Sequence, residues 1–206
     1  MKRIVKAPEI RRQEIIEAAQ RLFEKEGYSK TSIEAIIQEA GIAKGTFYYY
    51  FKSKQEILRA IVESITWEVK DYFESIVQDK GLSSVEKLRE MIVGSKKKEK
   101  IRPDVMAIVD LPENRELQEQ LNIEAVNLIA PLMTKVFIQG FQEGVFKKKA
   151  SLEGLQLILA GIQFVISSGL FDWTPDKKLA FLEEAQILLE THVGAKEGTL
   201  SFIKTA

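Results

Sequence analysis

A short stretch of the chain groups cationic, hydroxyl and phenol side chains that could bind phosphates and the edges of bases. Lys44, Thr46, Tyr48 and Tyr49 lie close together, and Gly45 among them would let another molecule approach the backbone. In nucleic-acid interfaces, lysine and hydroxyl groups contact phosphate oxygens, and polar side chains in a groove read the base edges. With two flanking polar residues, the candidate contact set is Thr31, Lys44, Gly45, Thr46, Tyr48, Tyr49 and Lys54.

Two short helices joined by a tight turn would position these groups. The capping-box pair Thr31 and Glu34 predicts that the first helix begins at Thr31, and Gly41 can take the positive φ that ends it. The second helix is predicted from Lys44 to Tyr50, with Phe47 and Phe51 on its inner face because they are four residues apart. Two short helices at a sharp angle are the arrangement that places one helix in the major groove of DNA.

The ordered set of residues resembles the DNA-binding domain of the TetR family of bacterial transcription regulators. The matching pieces lie between about residues 9 and 59 and comprise Ala18-Ala19, Leu22-Phe23, Gly27-Tyr28, Thr31-Ser32-Ile33, the run from Ala40 to Phe51, and Lys54. Ala43 departs from the pattern, since family members often carry serine there and a methyl group cannot cap the helix or bind a phosphate. The resemblance implies a dimer that pairs through its last helices, and a ligand that moves the fourth helix and changes the separation of the DNA-reading heads.

The charges are distributed unequally between the N-terminal part of the chain and the remainder. The 206 residues are 45% hydrophobic and include no cysteine, which excludes disulfides and thiol chemistry. The chain has 30 basic and 30 acidic residues, but residues 1–59 hold 12 basic and 8 acidic residues, a net charge of +4, and the remainder holds 18 and 22. A basic N-terminal piece on an acidic body suits one nucleic-acid surface on an otherwise acidic protein.

The sequence predicts a cytoplasmic protein that does not associate with membranes. Met1–Lys6 is basic, but no apolar core follows it, so it does not match a signal peptide. The longest apolar stretch without a charge, Gly154–Phe171, is short and contains glutamine and serine, so we expect a buried helix there.

Helical spacing recurs along the chain, which predicts an all-α fold of about nine helices. A three-helix helix-turn-helix domain would occupy residues 1–53, and a larger helical domain for effector binding and dimerisation would occupy residues 54–206. We expect the first helix to run from about Pro8 to Glu26 and the fourth from near Lys54 as far as Asp79. Residues 96–100 are predicted to form a solvated loop, and the tail after Gly194 to be frayed or loosely packed.

The last two long helices predict a homodimer. Helix eight is apolar on more faces than the core of one chain requires, and two such helices from each of two chains would form a four-helix bundle. Packing within one chain is the alternative. A two-fold dimer would present two recognition helices to a palindromic site. The residues assigned to the interface are Leu155, Ala160, Ser168, Leu182, Gln186, Leu189 and Val193.

A small-molecule pocket is predicted among helices four to eight. Prolines interrupt these helices, which leaves space between them, and Gln163 and Ser167 place polar groups four residues apart on an apolar helix. An apolar chamber with a few polar anchors is typical of ligand sites. The candidate lining residues are Trp67, Met91, Met106, Phe137, Phe141, Gln163, Phe164 and Ser167.

The sequence contains no pattern typical of catalysis. His192 is the only histidine, and no phosphate loop, metal-spaced cluster or nucleophile elbow is present, so neither an enzyme nor a metal or other cofactor is predicted. The favoured function is a sequence-specific transcription regulator, a repressor released from a palindromic operator by a small apolar ligand. A DNA-binding dimer without an effector and a helical carrier of apolar molecules are the alternatives.

Overall fold

A computed structural model describes residues 7–94, 103–167, 171 and 173–205. Across these ranges the regular structure is helical, with nine α-helices and no strand, as predicted. The predicted loop at residues 96–100 lies outside the described residues, as do residues 168–170 at the end of the predicted eighth helix.

The N-terminal unit contains α1 (Pro8–Glu26), α2 (Ile33–Glu39) and α3 (Lys44–Tyr50). Proline at the first position suits the start of α1, and Gly27 follows its end with a φ of 86°. The inner face of α1 is buried, as the helical spacing predicts, through Ile15, Ala18, Ala19, Leu22 and Phe23.

The start of α2 differs from the prediction. Ser32, and not Thr31, is the N-cap, since its hydroxyl accepts a hydrogen bond from the amide of Ala35 at 3.1 Å. Thr31 is buried and its hydroxyl donates to the carbonyl of Gly27 at 2.9 Å. Both residues suit a cap by type, so the sequence motif alone could not choose between them.

Helix α4 (Lys54–Gln78) continues through the point where the chain divides into two compact units. That division falls between Ser64 and Ile65. The functional boundary predicted between residues 53 and 54 coincides with the start of α4 and stays a prediction.

The second unit holds the remaining helices in a continuous order. These are α5 (Ser84–Arg89), a π-helical turn (Glu90–Gly94), α6 (Pro103–Val109), a 3-10 turn (Pro112–Asn114), α7 (Arg115–Gln142), α8 (Leu152–Ser167), α9 (Pro175–Val193) and a final 3-10 segment (Ser201–Thr205). Pro131 lies inside α7, which continues past it. Thr174 caps α9, and Gly194 ends it with a φ of 63°.

A polar network joins α5 to α7. The capping box of Ser83 and Glu86 starts α5, as predicted. The next residue, Ser84, is fully buried and donates its amide and hydroxyl to Glu143, at 3.0 and 2.6 Å. Partial burial raises the pKa of the Glu143 carboxyl. Hydrogen bonds from Ser84 and Gln139 and the charge of Lys87 lower it by more than burial raises it, so the pKa lies below its usual value.

The tail after Gly194 is packed, contrary to the expectation of a frayed end. Leu200, Phe202 and Ile203 are all at most 5% exposed. The buried carboxylate of Glu190 accepts hydrogen bonds from the amides of Gly198 and Leu200, at 3.2 and 2.8 Å. The buried carboxylate of Glu190 therefore binds the tail to α9 in addition to the apolar packing. The sequence alone does not indicate this contact, because the partners of the carboxylate are backbone groups.

One described helix, α7, is long and apolar enough to cross a membrane by length and composition alone. The core helix of a water-soluble protein passes the same test, and 33% of the apolar window is buried. The shorter apolar helix α8, predicted to be buried, has one exposed face in the single chain, which includes Leu157 and Phe164.

Candidate nucleic-acid interface

Helix α3 separates an apolar inner face from a polar outer face. Phe47 and Phe51 are 0% and 2% exposed, and their buried rings fix the helix on the rest of the N-terminal unit. Tyr48 and Tyr49 are 44% and 78% exposed. Because apolar packing holds the inner face, the outer face is available to a partner.

The outer face also presents a cation and an uncrowded backbone. Lys44 is exposed, with its ammonium 3.9 Å from the carboxylate of Glu34 and 6.0 Å from the centre of the Tyr48 ring. A Cβ atom added to Gly45 would meet no neighbour within 4 Å, so interior packing does not explain the glycine. Thr46 is half-buried at the edge of this face. The structure therefore brings Lys44, Gly45, Thr46, Tyr48 and Tyr49 to one helix, as predicted.

Local contacts hold the two tyrosines in defined positions. The ring of Tyr48 meets that of Phe47 edge-on, with centroids 5.3 Å apart, and the Tyr49 and Tyr50 rings do the same at 4.9 Å. Such edge-to-face pairs are the favoured geometry of aromatic rings. Ala43 is the N-cap of α3 and supplies no side-chain hydrogen bond, as its methyl group predicts.

Thr31 does not join this surface. It is 3% exposed, and its hydroxyl is committed to the carbonyl of Gly27. The contact of Thr31 with DNA stays a prediction, but the structure places the residue in the turn between α1 and α2 and away from the outer face of α3. Its neighbour Ser32 is exposed but caps α2.

Lys54 lies at the first position of α4 and points back toward the same turn. Its ammonium donates to the carbonyls of Tyr28 and Thr31, at 2.6 and 3.0 Å, and lies 4.1 Å from the centre of the Tyr28 ring. Lys54 is predicted from the sequence to contact DNA, whereas these contacts are all within the N-terminal unit.

Most of the predicted dimer residues are in the interior of the single chain. Those on α9 have exposed fractions of 7% or less, and Leu155 on α8 is fully buried. The residues concerned are Leu155, Leu182, Gln186, Leu189 and Val193. Ala160 is exposed, and Ser168 lies outside the described residues.

A different apolar face of these two helices is exposed. On α8 it contains Leu157 and Phe164, 76% and 54% exposed, and on α9 it contains Ile187 and Leu188, 49% and 58% exposed. Helix α9 is apolar on both sides, so periodicity alone could not show which stripe faces inward. The predicted stripe is the inner one in the single chain, so the interface assigned to it stays a prediction, and the outer face is a second candidate.

The described residues among the pocket candidates divide between the core and the surface of the chain. Met91 and Phe137 are both 1% exposed and belong to the core, whereas Trp67, Phe141 and Phe164 are exposed. Gln163 donates to the side-chain oxygen of Asn122 at 3.0 Å, which gives this amide a partner between α7 and α8. The side chains of Met106 and Ser167 lie outside the described part of the structure.

Two clefts occur elsewhere among helices four to seven. One of about 400 Å³ is lined by residues of α4, α5 and the π-helical turn, including Tyr72, Ile76 and Arg89. Another of about 670 Å³ is lined by Val77, Gln78, Lys80, Lys87 and Gln139. The predicted lining residues do not contribute to either cleft, so the two sets are separate candidates.

Comparison with known proteins identifies the family. A family model described as bacterial regulatory proteins, tetR family, matches residues 15–61, and one described as tetracyclin repressor-like, C-terminal domain, matches residues 97–184. The chain is 30% identical over 152 residues to the fatty acid metabolism regulator protein of Bacillus subtilis (strain 168), which covers 71% of this chain and 74% of that protein. Other curated regulators match over 26% of their own length.

Solved structures share the fold. The chain resembles RolR in complex with its ligand resorcinol, with a TM-score of 0.62, 19% identity and coverage of 96% of this chain and 94% of that one. It also resembles SmeT, the repressor of the Stenotrophomonas maltophilia multidrug efflux pump SmeDEF, with a TM-score of 0.58, 20% identity and coverage of 91% and 92%. With matches at both ends and a relative aligned over most of its length, the chain belongs to the TetR family of bacterial regulatory proteins and is a transcription regulator.

Proposed function

We propose that this regulator is a cytoplasmic homodimeric repressor that binds a roughly palindromic operator and is released by a small, largely apolar molecule. The observation that carries the proposal is the division of α3 into a buried aromatic face and an exposed face with a lysine and two tyrosines. A helix held in this way presents its outer face to the major groove.

Within that face, each group has a distinct chemical role. Lys44 supplies a cation for phosphate or for guanine, whose acceptor atoms lie in the major groove. Tyr48 and Tyr49 supply phenol hydroxyls and ring surface, and Thr46 adds a hydroxyl at the edge. The open space around Gly45 lets the backbone come close to the duplex. Glu34 opposes phosphate near Lys44, so binding includes the separation of this exposed ion pair.

The dimer forms through the exposed faces of α8 and α9. Leu157, Phe164, Ile187 and Leu188 are large apolar side chains that water contacts in the single chain. Covering them with the same residues of a second copy would remove this surface from water, which drives association. The small Ala160 and Gly161 lie on the same face of α8 and allow close approach of helices.

An effector in the C-terminal unit would release DNA by favouring a dimer geometry that misfits the operator. The ligand needs a higher affinity for that state, and a coupling of about 1–3 kcal/mol weakens DNA binding roughly 5- to 150-fold. The likeness to RolR, whose structure contains resorcinol, supports this mechanism. A DNA-binding dimer without an effector is the alternative.

Selection of bound sequences from random duplex DNA tests the DNA-binding proposal. We expect a palindromic consensus, because a two-fold dimer presents two copies of α3. Affinity for that consensus should fall steeply with salt, since each neutralised phosphate adds about 0.9 to the slope of log K against log salt. Equal affinity for all sequences, or binding that does not depend on salt, would contradict the proposal.

A further inference from the structure

We propose that Lys54 acts as a positioning residue that fastens the two ends of the helix-turn-helix to each other, and not primarily as a phosphate contact. The inference rests on the proposed DNA-binding function and deepens it. It concerns only the N-terminal unit, where all of the contacts lie.

The contacts form a compact cluster around one ammonium group. Its two hydrogen bonds, to the carbonyl oxygens of Tyr28 and Thr31, are 2.6 and 3.0 Å long. The Tyr28 ring below the ammonium is itself buried and meets Phe23 edge-on, with centroids 5.0 Å apart. Charge-assisted hydrogen bonds and a cation over an aromatic face are both stronger than their neutral counterparts. We call this set of contacts the Lys54 clasp.

The place of Lys54 in the sequence gives the clasp its effect. Tyr28 and Thr31 come just before α2, and Lys54 follows α3 by only a few residues. The clasp therefore joins the two ends of the segment that contains α2 and α3. Thr31 strengthens the same turn, since its hydroxyl and amide both bond to the carbonyl of Gly27.

A cation at this position is otherwise unfavourable for the helix. The first turn of an α-helix carries a partial positive charge, so a lysine there is disfavoured relative to a neutral or acidic residue. Ser53 and Glu56 do provide the usual helix-start contacts, with the Glu56 amide bonded to the Ser53 hydroxyl at 3.1 Å. The local helix therefore gains nothing from Lys54, whereas the turn before α2 gains two charged hydrogen bonds.

The consequence is that the clasp sets the angle at which α3 is presented. Buried Phe47 and Phe51 hold the inner face of α3, and the contacts of Lys54 join the start of α4 to the turn that precedes α2. Without the clasp, the two ends of the segment can separate, and α3 no longer meets the operator in one orientation. Sequence-specific contacts depend on that orientation, whereas general attraction to phosphates does not.

The test compares Lys54→Gln with Lys52→Gln in the whole chain. Lys52→Gln is the matched control, because it removes the same charge from an exposed residue two positions away. Affinities for the selected operator and for unrelated duplex DNA are measured as a function of salt, with the protein shown by circular dichroism to be folded. For Lys54→Gln we expect a loss of operator affinity of roughly tenfold or more, from the loss of two charged hydrogen bonds. Affinity for unrelated DNA and the salt slope should stay close to those of the wild type.

Other outcomes would overturn the assignment. If Lys54 binds a phosphate, Lys54→Gln weakens operator and unrelated DNA alike and lowers the salt slope by about 0.9. Lys54→Arg separates the two roles. If Lys54 binds a phosphate, the arginine variant should keep the affinity of the wild type, because it keeps the charge. If Lys54 forms the clasp, the arginine variant should bind the operator more weakly, because the larger guanidinium does not fit the site of a compact ammonium. Unchanged operator affinity would show that the contacts matter only for stability. Lys54→Met, which keeps the aliphatic stem, replaces the glutamine variant if that one does not fold.

The same measurements distinguish failure of the DNA-binding proposal from failure of the clasp proposal. If the wild-type protein shows no preference for any selected sequence, the DNA-binding proposal fails before Lys54 is tested. If the wild type is specific and Lys54→Gln is equally specific, only the clasp fails.

Discussion

Replacement of Leu188 by alanine should weaken the homodimer without disturbing the fold of each chain. Leu188 lies on the outer face of α9 and is 58% exposed in the single chain. The adjacent Leu189 is 2% exposed and lies on the inner face. Two neighbouring leucines on one helix therefore provide a matched pair, one for the interface and one for the core.

The expected size of the effect follows from the exposed surface. Complete burial of a leucine side chain is worth about 1.5–3 kcal/mol, so covering the exposed 58% of Leu188 contributes roughly 0.9–1.7 kcal/mol per chain. A two-fold interface buries two copies. Their loss should weaken association by about 2–3.5 kcal/mol, or roughly 20- to 300-fold in Kd.

The assay measures the monomer–dimer equilibrium of fluorescently labelled protein by sedimentation velocity. Leu188→Ala should raise Kd by the stated factor and lower the midpoint of thermal unfolding at a given protein concentration, because association stabilises the folded chain less. Leu189→Ala should instead lower the free energy of unfolding by about 2–5 kcal/mol through a core cavity.

The reverse result would refute the assignment of faces. If Leu189→Ala dissociates the dimer while Leu188→Ala has the Kd of the wild type, the inner stripe predicted from the sequence is the true interface, and the chain must open to expose it. A wild-type protein that stays monomeric at micromolar concentration would remove the interface altogether.

Two further predictions concern the polar contacts of the C-terminal unit. The net pKa of Glu143 is lowered in the folded chain, because hydrogen bonds outweigh partial burial, so its stabilising effect is present above the ordinary pKa of a glutamate and is lost as pH falls through the lower folded value. Glu143→Gln should thus unfold at a lower temperature than the wild type at pH 7, and calorimetry should show this difference shrinking as the pH falls below the ordinary pKa of a glutamate. In Glu190→Gln, an NH2 donor replaces one of the two oxygens that accept from the amides of Gly198 and Leu200, so one backbone amide loses its acceptor. Urea unfolding should therefore show a loss of about 1–3 kcal/mol, and protease should cleave the tail sooner. An unchanged tail would contradict the role of this carboxylate.

Much of the fold follows from local sequence signals. The bounds of α1 and α3, the capping box of α5 and the cap and end of α9 agree with patterns of proline, serine and glycine that act over a few residues. These signals are readable because a cap depends on the residue itself and its immediate neighbours.

The features that the sequence could not predict depend on contacts between distant residues. Lys54 reaches carbonyls more than 20 residues earlier in the chain, and Glu190 binds amides of the tail. Every residue has a backbone carbonyl and almost every residue an amide, so the residue types do not show which of them a side chain will bind. A lysine near a DNA-binding helix is therefore readily predicted to contact a phosphate. In α9, both faces are apolar, and only the packing of the whole chain decides which of them is buried.

The exposure of Phe164 makes it a candidate for the dimer interface as well as for the ligand pocket. Phe164 is predicted from the sequence to line a ligand pocket, but it is 54% exposed and lies on the outer face of α8. Leu157 and Ala160 are seven and four residues earlier, which puts them on the same side of the helix. Leu155, fully buried, lies on the opposite side.

If Phe164 belongs to the dimer face, Phe164→Ala should raise the dimer Kd by roughly tenfold or more, since an exposed aromatic ring loses its cover in both chains. Phe137→Ala is the matched core variant, because Phe137 is 1% exposed, and it should lower stability independently of protein concentration. The effects of Phe164→Ala and Leu188→Ala on the dimer should add if the two residues lie on separate parts of one interface. An unchanged Kd, combined with a loss of stability that does not depend on concentration, would instead show that Phe164 packs within its own chain and would return it to the candidate ligand pocket.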